Sequence, residues 1–143
     1  MIRAELAGYV VQADAVRTRE TYKELSGGPS VCGCSYCRNF LAAASDSLPA
    51  SICRFMDIVG IDRLKAAEVY ELGRDENSTS AYAGEYYLWG WVETGPTGDG
   101  AAGDGFQIAF IGRSGLQPQE FDSTGALCLY FTGRLPWVLD VLP

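Results

Sequence analysis

The chain has no histidine among its 143 residues. Because imidazole is the commonest general base near neutral pH, this absence excludes Ser-His-Asp triads and cysteine nucleophiles activated by histidine. It also excludes zinc sites that combine cysteine with histidine. Any zinc ion held by this chain would depend on cysteine, with aspartate or glutamate as the substitute ligands.

Basic residues and long apolar runs are also scarce. The 11 lysines and arginines are outnumbered by 18 acidic residues, which gives a net charge of −7. Nucleic-acid-binding proteins carry a basic face, so we expect no nucleic-acid partner. The sequence shows neither an apolar run of roughly 18 residues nor a secretory signal at its start, so we expect a cytoplasmic protein with no membrane contact.

Length and composition predict one folded domain over residues 1–143. The sequence is 48% hydrophobic and 12% aromatic, which is ordinary for a globular protein of usual domain size. Its acidic balance has two interpretations: a solvated surface without a partner, or a surface that docks onto a basic partner protein.

Three of the five cysteines lie within six residues, at Cys32, Cys34 and Cys37. A metal ion or an exchangeable disulfide needs several sulfurs close together, so this run nominates a site. In the cytosol thiols stay reduced, and a cysteine cluster there is typical of metal binding or redox chemistry rather than of a structural disulfide.

The spacing of these cysteines permits a zinc site. Two residues between Cys34 and Cys37 let both sulfurs reach one ion, and Gly33 gives the backbone the freedom to bring in Cys32. Cys53, after an intervening helix, is the best candidate for a fourth ligand. The predicted metal ligands are therefore Cys32, Cys34, Cys37 and Cys53, with zinc as the favoured ion and an iron–sulfur centre as the alternative.

Thiols without a metal are the other interpretation. They are either inert or cycle through a disulfide, with Cys34 as the attacking thiolate and Cys37 as the resolving thiol. The pair precedes a predicted helical segment, but no βαβ pattern comes before it, and Arg38 is the adjacent cation. Cys128 lies between two leucines in a predicted strand, which is typical of a small buried hydrophobe.

Periodicity predicts helices near the front of the chain and strands behind them. A strand is expected over 4–13, a loop over 14–31, and helices over 38–45 and 49–59. The second helix has apolar residues at i, i+3, i+4 and i+7. Strands are expected over 68–72, 85–93, 106–112 and 126–132, followed by an apolar tail. Short turns between these strands predict an α+β fold with a largely antiparallel sheet of four to six strands.

The strongest predicted strand, 85–93, is rich in aromatic residues. Tyr87, Trp89 and Trp91 share one face, and we expect both faces to be core unless one is exposed as an interface. Gly90 between the tryptophans indicates a bulge or a close backbone approach. The carboxylates Glu85, Glu93, Asp75 and Glu76 are expected to be solvated.

A glycine-rich segment, Gly98–Gly103, matches the G-x-G-x-x-G pattern of dinucleotide-binding loops. It lies between two predicted strands instead of opening a helix, and aspartates flank it. These features favour a hairpin loop.

Three segments carry a resemblance, in this order: Cys32-Gly-Cys-Ser-Tyr-Cys-Arg-Asn-Phe40, Gly60-Ile-Asp-Arg-Leu-Lys65 with Glu68-Val69, and Tyr82-Ala-Gly-Glu-Tyr-Tyr-Leu-Trp-Gly90. The chain resembles a family of small uncharacterised bacterial proteins with C-x-C-x-x-C-x-N-F, G-I-D-x-x-K and Y-x-G-x-Y/W segments, over about residues 30–93. The resemblance implies a bacterial cytosolic protein and no particular activity.

The sequence thus favours a non-enzymatic accessory or inhibitor/immunity-type domain that binds another protein, with a loop organised by the cysteines. The alternative is a thiol-based oxidoreductase that uses Cys34 and Cys37.

Overall fold

A computed structural model describes residues 1–75, 78–112 and 117–143. Over these residues the chain forms seven strands, four α-helices and one 3-10 turn. In chain order they are β1 (Ile2–Leu6), β2 (Tyr9–Ala13), α1 (Ala15–Glu24), α2 (Gly28–Cys32), α3 (Ser35–Ser47), α4 (Ala50–Val59), β3 (Glu68–Arg74), β4 (Thr79–Thr94), β5 (Gly100–Gly103), β6 (Phe106–Ile111), the 3-10 turn (Gln119–Phe121) and β7 (Ala126–Pro136). The α+β class and the antiparallel sheet are confirmed, with seven strands described where four to six were predicted.

The long strand β4 is the central strand of the sheet, because β2, β3 and β7 all pair with it. The strands run in the order β1-β2-β4-β7-β6-β5, and β3 also pairs with β4. β7 follows one edge of β4 from Thr79 to Trp89. On the other edge, β3 pairs with the first half of β4 and β2 with its end, so a gap remains between them.

Helix α1 fills this gap with side-chain hydroxyls. The Tyr22 hydroxyl donates to the Tyr87 carbonyl at 2.7 Å and accepts from the Tyr87 N–H at 3.1 Å. The Thr18 hydroxyl accepts from the Trp89 N–H at 3.1 Å. Buried backbone groups need partners, and here a helix supplies what a neighbouring strand would otherwise give.

Helix α4 matches its prediction closely. Its apolar stripe, Ile52, Phe55, Met56 and Val59, is buried in the core. Gly60 ends the helix in the left-handed conformation, at φ 89°. A Cβ at Gly60 would also lie 2.6 Å from the carbonyl oxygen of Ala15, so glycine is required there on two grounds.

The predicted loop over 14–31 is wrong, because this stretch contains α1 and α2. The Asp14 side chain caps α1 by accepting from the Arg17 N–H at 3.0 Å. The buried residues of α1 are Thr18 and Tyr22, so the helix has little apolar periodicity to detect. The predicted strand over 4–13 is in fact a hairpin, in which Ala7 and Gly8 turn the chain with positive φ angles.

The expectation for Gly90 is confirmed, whereas the loop expected over Gly98–Gly103 is only half loop, because its second half is a strand. A Cβ at Gly90 would lie 2.1 Å from the carbonyl oxygen of Gln12, so the backbones of β2 and β4 do approach closely. The segment Gly98–Gly103 opens no helix: its second half is β5, which forms a hairpin with β6.

No helix in the described part of the chain is both long and apolar enough to cross a membrane.

Candidate metal centre

The three clustered cysteines lie where the chain turns from α2 into α3. Cys32 is the last residue of α2, and Gly33 then takes the left-handed conformation at φ 68°. Cys34 is the N-cap of α3, and its sulfur accepts from the Cys37 N–H at 3.4 Å. The left-handed residue reverses the chain, so Cys32 returns toward the first turn of α3.

This turn brings the three sulfurs together. The Sγ atoms of Cys32, Cys34 and Cys37 all lie within 4.8 Å of one another. Cys32 and Cys34 are exposed, whereas Cys37 is 7% exposed and forms the inner side of the cluster. The predicted convergence of these sulfurs is present, and the cluster could bind a metal ion.

The two cysteines of the C-x-x-C pair have opposite pKa shifts. The Cys37 N–H donates a hydrogen bond to the Cys34 sulfur and thereby lowers the pKa of Cys34. The neighbouring thiols add to this effect. Burial raises the pKa of Cys37 to about 12, helped by hydrogen bonds with Cys34 and Cys32. Of these two thiols, Cys34 is therefore the one that ionises first.

Cys53 is not among the converging sulfurs, so the structure does not bring the predicted fourth ligand to the other three. The Cys53 sulfur instead contacts the Leu48 carbonyl oxygen at 3.7 Å. Cys128 is fully buried in β7, as predicted, and burial raises its pKa to about 12. Among the described residues, no further cysteine, aspartate or glutamate completes the group.

A network of side-chain hydrogen bonds, made by Tyr82 and Asn39, lies next to the cysteines. The Tyr82 hydroxyl donates to the Tyr36 carbonyl at 2.9 Å and accepts from the Asn39 amide at 3.2 Å. The buried Asn39 side chain also donates to the Pro136 carbonyl at 3.1 Å and accepts from the Val138 N–H at 2.7 Å. Asn39 therefore ties the C-terminal segment to the helix that carries Cys37.

Tyr36 makes a second connection to this segment. Its ring meets the Trp137 ring edge-on, with centroids 5.5 Å apart. The sequence interpretation missed the roles of Tyr36 and Asn39. The one available signal was Asn39 itself, a polar residue inside a helix next to the apolar Phe40, which often indicates a specific hydrogen bond.

The aromatic residues proposed as an interface are mostly core. Tyr87 is 1% exposed and Trp89 4% exposed, so neither is available to a partner. The Trp89 ring carries the Arg17 guanidinium 3.5 Å above its centroid. Trp91 is 54% exposed and is the member of the three that a partner could reach.

One of the carboxylates expected to be solvated is buried. Glu85 is only 6% exposed, so the expectation is wrong for it. Glu93 pairs with Arg3 at 3.0 Å on the surface, and Asp75 pairs with Arg134 at 3.0 Å. Glu76 lies outside the described residues.

The other two segments of the resemblance serve the fold. In the third segment, the Tyr86 hydroxyl donates to the Arg63 carbonyl at 2.6 Å, and a Cβ at Gly84 would lie 2.5 Å from the Phe131 ring. In the second segment, the Lys65 ammonium donates to the Tyr22 carbonyl at 2.8 Å, near the end of α1.

Comparisons with protein-family models, with curated proteins and with solved structures give no match.

Proposed function

We propose that this protein binds a soft metal ion, zinc, through the thiolates of Cys32, Cys34 and Cys37. The observation that carries the proposal is the convergence of three sulfurs within 4.8 Å at one turn of the chain. Thiolates favour zinc and Cu(I) over hard cations, and zinc suits the C-x-x-C spacing. Three thiolates around Zn²⁺ give a net charge of −1, so the ion offsets most of the repulsion among the sulfurs.

The proposal includes the protein-binding role that the sequence favours. An ion bound here would fix α2, which has five residues and little stability of its own, against the start of α3. Val31, next to the cysteines, is highly exposed and would be part of the surface presented to a partner. The acidic net charge of −7 favours a basic partner.

The proposal is tested by metal content and thiol counting on protein purified without chelators. We expect one zinc ion per chain, and we expect Cys32, Cys34 and Cys37 to resist a thiol reagent until a chelator is added. Cys53 and Cys128 serve as internal references, because their accessibility should not depend on the chelator. Metal-free protein that cannot be reconstituted with zinc would contradict the proposal.

A second candidate function is thiol–disulfide exchange. An exposed cysteine at a helix N-cap with a lowered pKa, followed by a buried cysteine with a raised pKa, suits an attacking and a resolving thiol. The Cys34 thiolate would attack a substrate disulfide and release one substrate thiolate. Cys37 would then give up its proton and attack Cys34, which releases the second substrate thiolate and leaves a Cys34–Cys37 disulfide.

Rates of alkylation test this alternative. In metal-free protein near neutral pH, we expect iodoacetamide to modify Cys34 faster than Cys37, because Cys34 is exposed and ionises more readily. Mass spectrometry of peptides after brief labelling gives the ratio. If reduced protein also converts stoichiometrically to the Cys34–Cys37 disulfide while it reduces a model disulfide, exchange chemistry is supported. Equal labelling of the two thiols would count against it.

A further inference from the structure

We infer that the cysteine cluster is a metal-exchange site, which passes its ion to an acceptor with clustered thiols, rather than a closed structural site. This inference rests on the proposed metal binding. Its starting observation is the number of donors: three sulfurs converge, whereas structural zinc sites are closed by four protein ligands. A site with three protein ligands keeps a position for an outside ligand.

The described part of the chain offers no replacement for the missing donor. The sequence has no histidine at all. The sulfur of Cys53 contacts the Leu48 carbonyl oxygen instead, and Cys128 is fully buried in the sheet. Within residues 1–75, 78–112 and 117–143, no aspartate or glutamate lies close enough to join the three sulfurs. Because none of these residues fills the fourth position, we assign it to a ligand from another molecule.

The cluster is also open on the side where such a ligand would approach. Cys32 and Cys34 are both exposed. Apart from its two chain neighbours, a Cβ placed on Gly33 would meet no atom of the described residues within 4 Å, so space is free above the turn. Val31 is exposed next to Cys32. A closed structural site instead shields its ion, and an incoming thiol would find no free position at it.

The transfer step needs no redox partner. A thiol of the acceptor loses its proton and binds the ion at the fourth position. The bonds from the ion to Cys32, Cys34 and Cys37 then break in turn as further acceptor thiolates take their places. Four acceptor thiols lose one proton each in this exchange and the three released cysteine thiolates take up one proton each, so one proton passes to the solvent, and the ion keeps its oxidation state throughout. The exposed Cys32 and Cys34 are the sulfurs placed to leave first.

The open position is tested with the full chain loaded with Co²⁺, a visible-absorbing substitute for zinc. We expect glutathione, a single small thiol, to shift the ligand-field bands and to strengthen the sulfur-to-cobalt charge-transfer band, because it adds a sulfur to the ion.

In the zinc-loaded chain, we expect the rate of transfer to a chromophoric chelator to rise in proportion to chelator concentration. Cys53→Ser is the matched control and should change neither result.

The outcomes separate the inference from the proposal beneath it. If the chain binds neither Co²⁺ nor zinc, the proposed metal site itself fails. If the ions bind but glutathione leaves the spectrum unchanged and the transfer rate is independent of chelator concentration, the site is closed and the exchange inference alone is overturned. If Cys53→Ser abolishes metal binding, Cys53 is a ligand, and the inference is overturned as well.

Discussion

Cys37→Ser is expected to lower the zinc affinity of the chain by at least ~100-fold. Loss of a residue that merely orients a metal ligand costs roughly 10–100-fold in affinity, and Cys37 is proposed as a direct ligand. It is also the innermost of the three sulfurs, so its loss would leave two exposed thiols without an inner anchor. Competition titration against a zinc-binding dye measures the change.

Two further variants make this result specific. Cys32→Ser alters an exposed ligand and should weaken zinc binding without affecting the core. Cys53→Ser removes a sulfur that contacts the Leu48 carbonyl and should leave the zinc affinity unchanged. Unchanged affinity in both Cys32→Ser and Cys37→Ser would show that the cluster is not the metal site.

Phe121→Ala is expected to lower the free energy of unfolding by ~3–5 kcal/mol, the usual cost of truncating a buried phenylalanine. Phe121 is fully buried, and its ring meets three aromatic rings: Tyr22 at 5.7 Å, Tyr87 at 5.8 Å and Trp89 at 5.1 Å. These rings join α1 to the gap in the β4 edge, so the cavity would loosen the side-chain hydrogen bonds that fill this gap. Urea unfolding monitored by circular dichroism measures the loss.

Trp91→Ala is the matched control for this cavity. It removes a larger aromatic side chain from β4, but one that is more than half exposed. Surface substitutions of this kind usually change stability by at most ~0.5 kcal/mol. If Phe121→Ala proves as mild as Trp91→Ala, the turn that carries Phe121 is not part of the core.

The sequence predicted those helices and strands in which the buried residues are apolar and recur with the period of the element. Helix α4 was found because its apolar stripe repeats every three to four residues and packs on the core. Helix α1 was missed because it buries few apolar residues. Its buried residues, Thr18 and Tyr22, instead use their hydroxyls to hydrogen-bond backbone groups at the edge of β4. Such a role depends on where β2 and β3 stop along β4, and local periodicity carries no information about that.

The same distinction holds at the site. Cys32, Cys34 and Cys37 were correctly grouped because a single turn of chain decides their geometry. Cys53 was added to them but lies outside the group of converging sulfurs, since its position depends on how α4 packs against its neighbours. Asn39 was missed because its partners, Tyr82 and the segment after β7, lie far away in sequence. Contacts of this kind follow from the assembled sheet and cannot be read from spacing.

The central claim, that three sulfurs share one metal ion, is tested most directly by X-ray absorption at the zinc edge of the zinc-loaded 143-residue chain. We expect three sulfur neighbours near 2.3 Å, the usual zinc–thiolate distance, with a lighter atom or an added thiol in the fourth position. A first shell made mainly of oxygen and nitrogen, or one with two sulfurs or fewer, would contradict the account.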